Sequence, residues 1–332
     1  MRRASDCDFL KRAVELAEKG LGHTRPNPPV GAIIVKNGKI IGEGWHKKCG
    51  GDHAEVAAIK DALRNLKTSR LQGLKTCTLY VTLEPCSKPG RVGACTDAIR
   101  AAGIQRVVYA LADPNPQNRG KAKRVLAKAG IACSCYADEE PRSLVVQQAH
   151  RLIAPFAKHV TTGMPYVVVK LAMSLDGKIC DDWGNAKWIS TAASRKATGR
   201  LREIVDAIMV GAETIRKDNP ALLSHGKRND DLIRVVVTKS GRLPKKAQVF
   251  TDGKNPTLVF RNAKKALQEL GKAGVMYVLC EGGFKLARAL AEAGLVDEWM
   301  TVLAPIVIGS RPIRSAVRFA KCSDVIISTE DL

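Results

Sequence analysis

Thr78-Leu79-Tyr80-Val81-Thr82-Leu83 runs straight into Glu84-Pro85-Cys86, and after eight intervening residues Cys95 opens the next apolar-periodic stretch. The first six residues are β-branched, aromatic or aliphatic and read as a buried strand. The proline ends it, because it has no N–H to give to a ladder. Cys95 to Ala102 reads as a helix closed by Gly103. A buried strand passing through a loop into a helix is the repeating unit of a layered α/β fold.

The flanking sequence repeats that unit. Upstream, Asp6 to Gly20 places Phe9, Leu10, Ala13, Val14, Leu16 and Ala17 at helical spacing. Asn37-Gly38 joins the strand-like runs Pro29–Val35 and Ile40–Trp45 as a hairpin, and His53 to Leu66 reads as a helix. Downstream come a strand at Ile104–Leu111, a helix at Lys121–Ala129, a short strand at Ile131–Tyr136 and a helix from Ser143 to Phe156. This predicts a three-layer α/β/α domain over residues 1–146. A second α/β domain over 147–332 follows, with strands at Tyr166–Leu171, Ala207–Val210, Ile233–Val237, Thr257–Phe260, Met276–Leu279 and Trp299–Leu303. Its helices are expected at Ala193–Ile204 and Phe284–Ala293, and no repeat relates the two halves.

The chain has 332 residues, 45% hydrophobic and 26% charged, which suits two domains with separate cores and excludes disordered or fibrous classes. Lys plus Arg outnumber Asp plus Glu by 54 to 32, and the resulting +22 attracts anions. The excess is evenly spread, with 25 basic and 14 acidic residues in 1–150 against 29 and 18 in 151–332. No basic arm forms, so phosphorylated small molecules are favoured over nucleic acid as partners. No apolar run reaches 18 residues, and Met1-Arg2-Arg3-Ala4-Ser5-Asp6 leads into an acid-bearing amphipathic stretch. Neither a signal peptide nor a membrane span is expected. The ten Cys are then expected as reduced thiols in a cytoplasmic protein.

Reduced thiols that gather at element ends need a chemical reason. His53-Ala54-Glu55 opens a helix, Cys86 follows a strand and Cys95 opens the next helix. One imidazole and two thiolates suit Zn²⁺ and leave its fourth position to water, the arrangement of a catalytic site. Glu55, two residues from His53, is the candidate proton carrier between that water and a leaving amine, so the implied chemistry is hydrolytic deamination. Alone, a His-x-Glu at a helix start is an ordinary cap and a Pro-Cys after a strand is ordinary packing; their joint context points to a metal. The other eight Cys, Cys133 and Cys135 among them, are expected as small apolar core residues.

These motifs resemble the zinc-dependent cytidine deaminase superfamily. The long loop between Cys86 and Cys95 is similar to that of the riboflavin-biosynthesis pyrimidine deaminases. Pro26-Asn27-Pro28-Pro29-Val30-Gly31 and Asp113-Pro114-Asn115-Pro116 resemble segments of the same family, and the resemblance implies a substrate contact at Asn27. Where that family has His after the Ser and two prolines before the second Cys, this chain has Lys88 and Val92-Gly93-Ala94. Those departures touch substrate fit and leave the metal ligands and Glu55 intact.

In the second half no G-x-G-x-x-G follows a strand. Glu281-Gly282-Gly283 before a helix reads either as a phosphate cradle or as a plain strand-to-helix turn. Together with Lys170 to Lys178, Trp188-Ile189-Ser190, Val210-Gly211-Ala212-Glu213-Thr214, Asp218-Asn219-Pro220 and Ala304-Pro305, it looks like the reductase half of the bifunctional riboflavin-biosynthesis deaminase/reductases. The resemblance implies a dihydrofolate-reductase-like domain that uses NADPH, with cofactor contacts at Ala172, Trp188, Thr214, Asp218 and Gly283. It further implies substrate contacts at Arg202, Leu222 and Glu281, and a homo-oligomer. Ala186, Asn219, Thr238-Lys239 and His225 depart from the family's Ser, second Asp, Asp-Ser and Arg. An imidazole at 225 cannot make the bidentate phosphate contact of a guanidinium. The expected function is deamination of a diamino-ribosylaminopyrimidinone phosphate, followed by NADPH-dependent reduction of its ribosyl group to ribityl. One alternative is a deaminase with a catalytically degenerate second domain. Another is a nucleic-acid-editing deaminase, against which the Cys spacing and the even charge both count.

Overall fold

The computed structural model describes residues 5–67, 74–88, 93–185, 189–224, 231–310, 317–318 and 325–328. The chain divides into two compact units, Met1–Thr162 and Gly163–Leu332.

The first unit contains α1 (Asp6–Glu18), β1 (Gly31–Lys36), β2 (Lys39–Trp45), α2 (Ala54–Asn65), β3 (Thr78–Leu83), α3 (Cys95–Ala102), β4 (Arg106–Leu111), α4 (Lys121–Lys128), β5 (Ala132–Cys135), α5 (Tyr136–Glu139) and α6 (Leu144–Thr162). Its sheet has the order β2-β1-β3-β4-β5. β1 is antiparallel to both neighbours, and β3, β4 and β5 are parallel. Side chains alternate across the pleat and build two cores. Ile34, Leu79, Val81 and Val107 pack with Ala58, Ile99 and Leu126 on one face. Ile33, Tyr80 and Val108 pack with Leu10, Val14, Ala149 and Ile153 on the other. The hairpin forms as expected, with Asn37 and Gly38 at φ 50° and 74°, the left-handed pair that a type I′ turn requires.

Gly44 sets how closely α2 approaches the sheet. A Cβ there would meet Ala58 N at 2.3 Å and Ala54 O at 2.5 Å, so only glycine lets the first turn of α2 lie against β2. At the other end of the unit the structure corrects the expected boundary. The helix that the sequence ends at Phe156 runs through Pro155 to Thr162, and Val145, Val146, Ala149, Leu152 and Ile153 bury its face in the second core. That packing offsets the bond lost at the proline and moves the division from 146/147 to 162/163.

The second unit contains β6 (Tyr166–Ser174), α7 (Ala192–Ile204), β7 (Ala207–Gly211), α8 (Ala212–Asp218), β8 (Ile233–Val237), α9 (Gln248–Thr251), β9 (Thr257–Phe260), α10 (Ala263–Lys272), β10 (Tyr277–Cys280), α11 (Phe284–Glu292), β11 (Glu298–Ala304), β12 (Ile306–Val307), β13 (Val317–Arg318) and β14 (Val325–Ser328). Its main sheet has the order β14-β11-β6-β10-β7-β8-β9, and β12 pairs with β13. All neighbours in the main sheet are parallel except β11 and β14. The sequence reading had no counterpart to α10, which buries Ala266, Leu267 and Leu270 and is capped by Asn262, whose side chain accepts from Lys265 N. No helix among the described residues is long and apolar enough to cross a membrane.

Candidate functional site

Three element ends converge in the first unit. His53 is the N-cap of α2, Cys95 is the first residue of α3, and Cys86 lies just beyond β3, past Pro85. His53 Nδ1 is 3.1 Å from Cys95 Sγ and 3.6 Å from Cys86 Sγ, and the two sulfurs are 3.3 Å apart. This is the spacing that ligands about 2.0–2.3 Å from one ion require. Among the described residues these three form a group able to hold a metal ion. The Cys95 N–H donates to Cys86 Sγ at 3.3 Å. The Cys86 thiol is held far below its ordinary pKa, first by its hydrogen bond with Cys95 and also by His53, whereas Cys95 moves up. The pair thus favours loss of one thiol proton, toward the thiolate form that binds a metal.

A pocket of about 220 Å³ opens beside this group, lined by Asn27, His46, His53, Glu55, Cys86, Asp113 and Phe156 among others. Glu55, in the first turn of α2, is 3% exposed. Burial, followed by the nearby Cys86 charge, raises its pKa, so its carboxyl holds a proton more readily than an exposed one. Asn27, anticipated from the sequence, lies here: its Nδ2 donates to His46 Nε2 at 3.0 Å. His46 was not anticipated. Its Nδ1 lies 2.9 Å from Asp52 O, and burial, the largest effect, lowers its pKa. These partners define a neutral ring that donates from Nδ1 and accepts at Nε2. The available signal was its place directly after β2, the strand on which α2 rests.

In the sequence Glu84 stands only as the residue that follows the strand. It is 3% exposed, and its carboxylate accepts from three backbone N–H groups: Asp113 (3.2 Å), Gly120 (2.9 Å) and Ala122 (3.0 Å). Asp113 in turn accepts from Asn115 N and Asn118 Nδ2. Asn118 Oδ1 accepts from Ser87 N at 3.0 Å. The Asp113–Pro116 segment is thereby tied to the residue next to Cys86. Residues 89–92 of the long loop, Val92 included, lie outside the described residues, and Lys88 is exposed.

In the second unit the carboxyl ends of β10 and β7 lie side by side next to the middle of β6, with Val169 opposite Cys280 and Cys280 opposite Met209. Lys170 and Glu281 therefore emerge on adjacent strands. Arg202, from α7, pairs with Glu281 at 2.6 Å and donates from Nη1 to Leu223 O at 3.0 Å. Ala172 lies further along β6, Thr214 and Asp218 lie on α8, and Gly283 is the N-cap of α11. A Cβ built on Gly283 would meet nothing within 4 Å, so space is open before that helix. Lys170 is an addition to the residues anticipated; burial lowers its pKa against the opposing pull of Glu281. The Leu222 side chain sits in the core with Val236, Ala247 and Val249, at φ 49°, which leaves the backbone of this residue to face a ligand. Asn219 closes α8 in the left-handed region, and its Oδ1 accepts from Gln248 N at 2.8 Å, a bond the family's Asp would also make. Ala186, Trp188 and His225 lie outside the described residues.

Residues 3–111 match the cytidine and deoxycytidylate deaminase zinc-binding region, and residues 165–328 match the RibD C-terminal domain. The class is thus a zinc deaminase unit joined to a reductase unit. Riboflavin biosynthesis protein RibD of Aquifex aeolicus is 35% identical, over 93% of this chain and 89% of that one. The Bacillus amyloliquefaciens protein of the same name is 37% identical, over 91% and 85%. A crystal structure from Thermotoga maritima, described as a diaminohydroxyphosphoribosylaminopyrimidine deaminase/5-amino-6-(5-phosphoribosylamino)uracil reductase, superposes with a TM-score of 0.83 at 33% identity, covering 96% of this chain and 97% of that one. Acinetobacter baumannii RibD superposes with a TM-score of 0.79 at 34% identity, over 95% and 92%. The chain belongs to the RibD family, the bifunctional deaminase/reductases of riboflavin biosynthesis.

Proposed function

We propose that the first unit hydrolytically deaminates a diamino-ribosylaminopyrimidinone phosphate. The second unit then reduces the ribosyl group of the resulting uracil to ribityl with NADPH. The carrying observation is the His53–Cys86–Cys95 triangle opening onto a pocket that also holds Glu55 and Asn27. These ligands fit zinc, since an imidazole and two sulfurs at mutual distances of 3.1–3.6 Å are its preferred donor set. When bound, zinc supplies a Lewis acid that makes water nucleophilic near neutral pH. Glu55, buried beside these ligands with its pKa raised, would carry a proton from the attacking water to the departing amino group. Asn27, held through its Nδ2 by the neutral His46, keeps its amide oxygen free to orient the ring.

In the second unit Arg202 faces the substrate's phosphate as a cation, and Glu281 accepts from its sugar hydroxyls. Lys170 lines the same cleft as a cation of lowered pKa, the kind of group that gives up a proton readily. The open space before α11 and the adjoining carboxyl ends of parallel strands fit a dinucleotide such as NADPH, with Gly283, Ala172, Thr214 and Asp218 around it. Glu55→Gln tests the first assignment: zinc content stays at one per chain while deamination falls by about a thousandfold or more. A normal deamination rate in that variant would remove Glu55 from the reaction.

A further inference from the structure

A charged side chain lies deep in the second unit, and its hydrogen bonds go to residues other than those assigned above. Arg234 on β8 is 1% exposed. Its Nη1 donates to Asp252 Oδ2 at 2.6 Å and to Ala221 O at 3.1 Å; its Nη2 donates to Asp252 Oδ1 at 2.9 Å and to Asn255 O. Its Nε is buried without a hydrogen-bond partner among the described residues. A buried ion pair with an unmade bond is a poor source of stability, since apolar side chains of similar volume commonly do as well or better. What the planar fork supplies is direction, because it joins four acceptors on two separate segments, Ala221 and the turn from Asp252 to Asn255.

One of those acceptors, Ala221 O, belongs to the segment that reaches the cleft. Asn219 and Leu222 both adopt positive φ, 43° and 49°, which a leucine accepts only when its surroundings impose it. One residue beyond Leu222, Leu223 O receives Arg202 Nη1 at 3.0 Å, and Arg202 pairs with Glu281. Contacts therefore run without a break from Asp252 through Arg234 and residues 221–223 to Arg202 and Glu281. We propose that Arg234, held by Asp252, is a positioning residue for the reduction: it fixes residues 219–224 in the conformation that aims Arg202 and Glu281 at the substrate. This rests on the reading of the second unit as the reductase.

The test compares Arg234→Lys and Arg234→Met with wild type in the full-length, zinc-loaded enzyme. Lysine keeps the charge and loses the fork; methionine keeps the volume and loses both. Both variants are expected to raise KM for the phosphoribosylaminouracil by about tenfold or more with little change in kcat, and to leave the deamination rate unchanged. Amide exchange at Asn219 and Gln248, whose N–H groups bond Ile215 O and Asn219 Oδ1, should quicken at least as much, while exchange across β7 and β8 stays constant. Unchanged KM and unchanged exchange would overturn the proposal. So would faster exchange throughout the unit with kcat falling at fixed KM, the signature of a merely structural arginine. If the wild type consumes no NADPH, the reductase reading fails instead, and the exchange data still show whether the clamp exists.

Discussion

Replacing Glu84 by glutamine changes one atom of a buried side chain and should cost the first unit about 3 kcal/mol. Glu84 Oε2 accepts from two backbone N–H groups and Oε1 from one, that of Ala122 in the first turn of α4. The amide keeps its oxygen where two donors converge, so its NH₂ faces Ala122 N–H. One charge-assisted bond is lost, and a buried donor goes unsatisfied, at about 1–3 kcal/mol for each. The favourable charge at the start of α4 goes too, about 0.5–1 kcal/mol. The lower half of these ranges sums to about 3 kcal/mol, equivalent to roughly 150-fold in an opening equilibrium. Peptide-resolved hydrogen exchange reads each unit separately and should show residues 113–128 exchanging about 150-fold faster in Glu84→Gln, with α10 and α11 unaffected. Ser87 is tied to Asp113 through Asn118, so zinc should also leave the variant faster on dilution into chelator. Wild-type exchange at 113–128 would refute this account of Glu84.

Cys86→Ser should lose zinc and deamination together, measured by metal content and by ammonia release, while NADPH oxidation with the deaminated substrate continues. Asp176 has its pKa lowered from 3.8 to about 2, first by the Ser174 hydroxyl and then by the backbone N–H groups of Gly309 and Ile308. A depressed carboxyl stabilises the folded chain above its unfolded pKa, and this contribution disappears as pH falls from about 3.8 to about 2. Asp176→Asn should therefore melt below wild type at pH 7, with the two curves converging in acid. His225→Arg should lower the KM of the reductase with little change in kcat, because a bidentate phosphate contact worth about 2–3 kcal/mol is held equally in ground and transition states.

The metal group was legible because each ligand sits at an element end that leaves a local mark: a helix start for His53 and Cys95, a strand-ending proline for Cys86. Glu84 left no such mark, since the donors that define its role lie about thirty residues downstream and meet it only in the folded chain. Lys170 read as one residue of a strand; its lowered pKa comes from burial beside a neighbouring strand. At Leu222 the side chain is held in the core by Val236, Ala247 and Val249, partners distant in sequence that only the folded chain brings to it. The expected boundary at 146/147 falls inside a single helix, because the buried face of α6, which packs on α1 and β4, ties residues 145–153 to the first unit.

The central claim is that one chain performs both steps in order. It is tested most directly by giving the purified, zinc-loaded protein the diamino-ribosylaminopyrimidinone phosphate, with and without NADPH, and identifying the products by mass. Without NADPH the account predicts the ribosylaminouracil phosphate and ammonia alone; with NADPH it predicts the ribitylaminouracil phosphate and one NADPH oxidised per molecule formed. Accumulation of the ribosyl compound with NADPH untouched would contradict it.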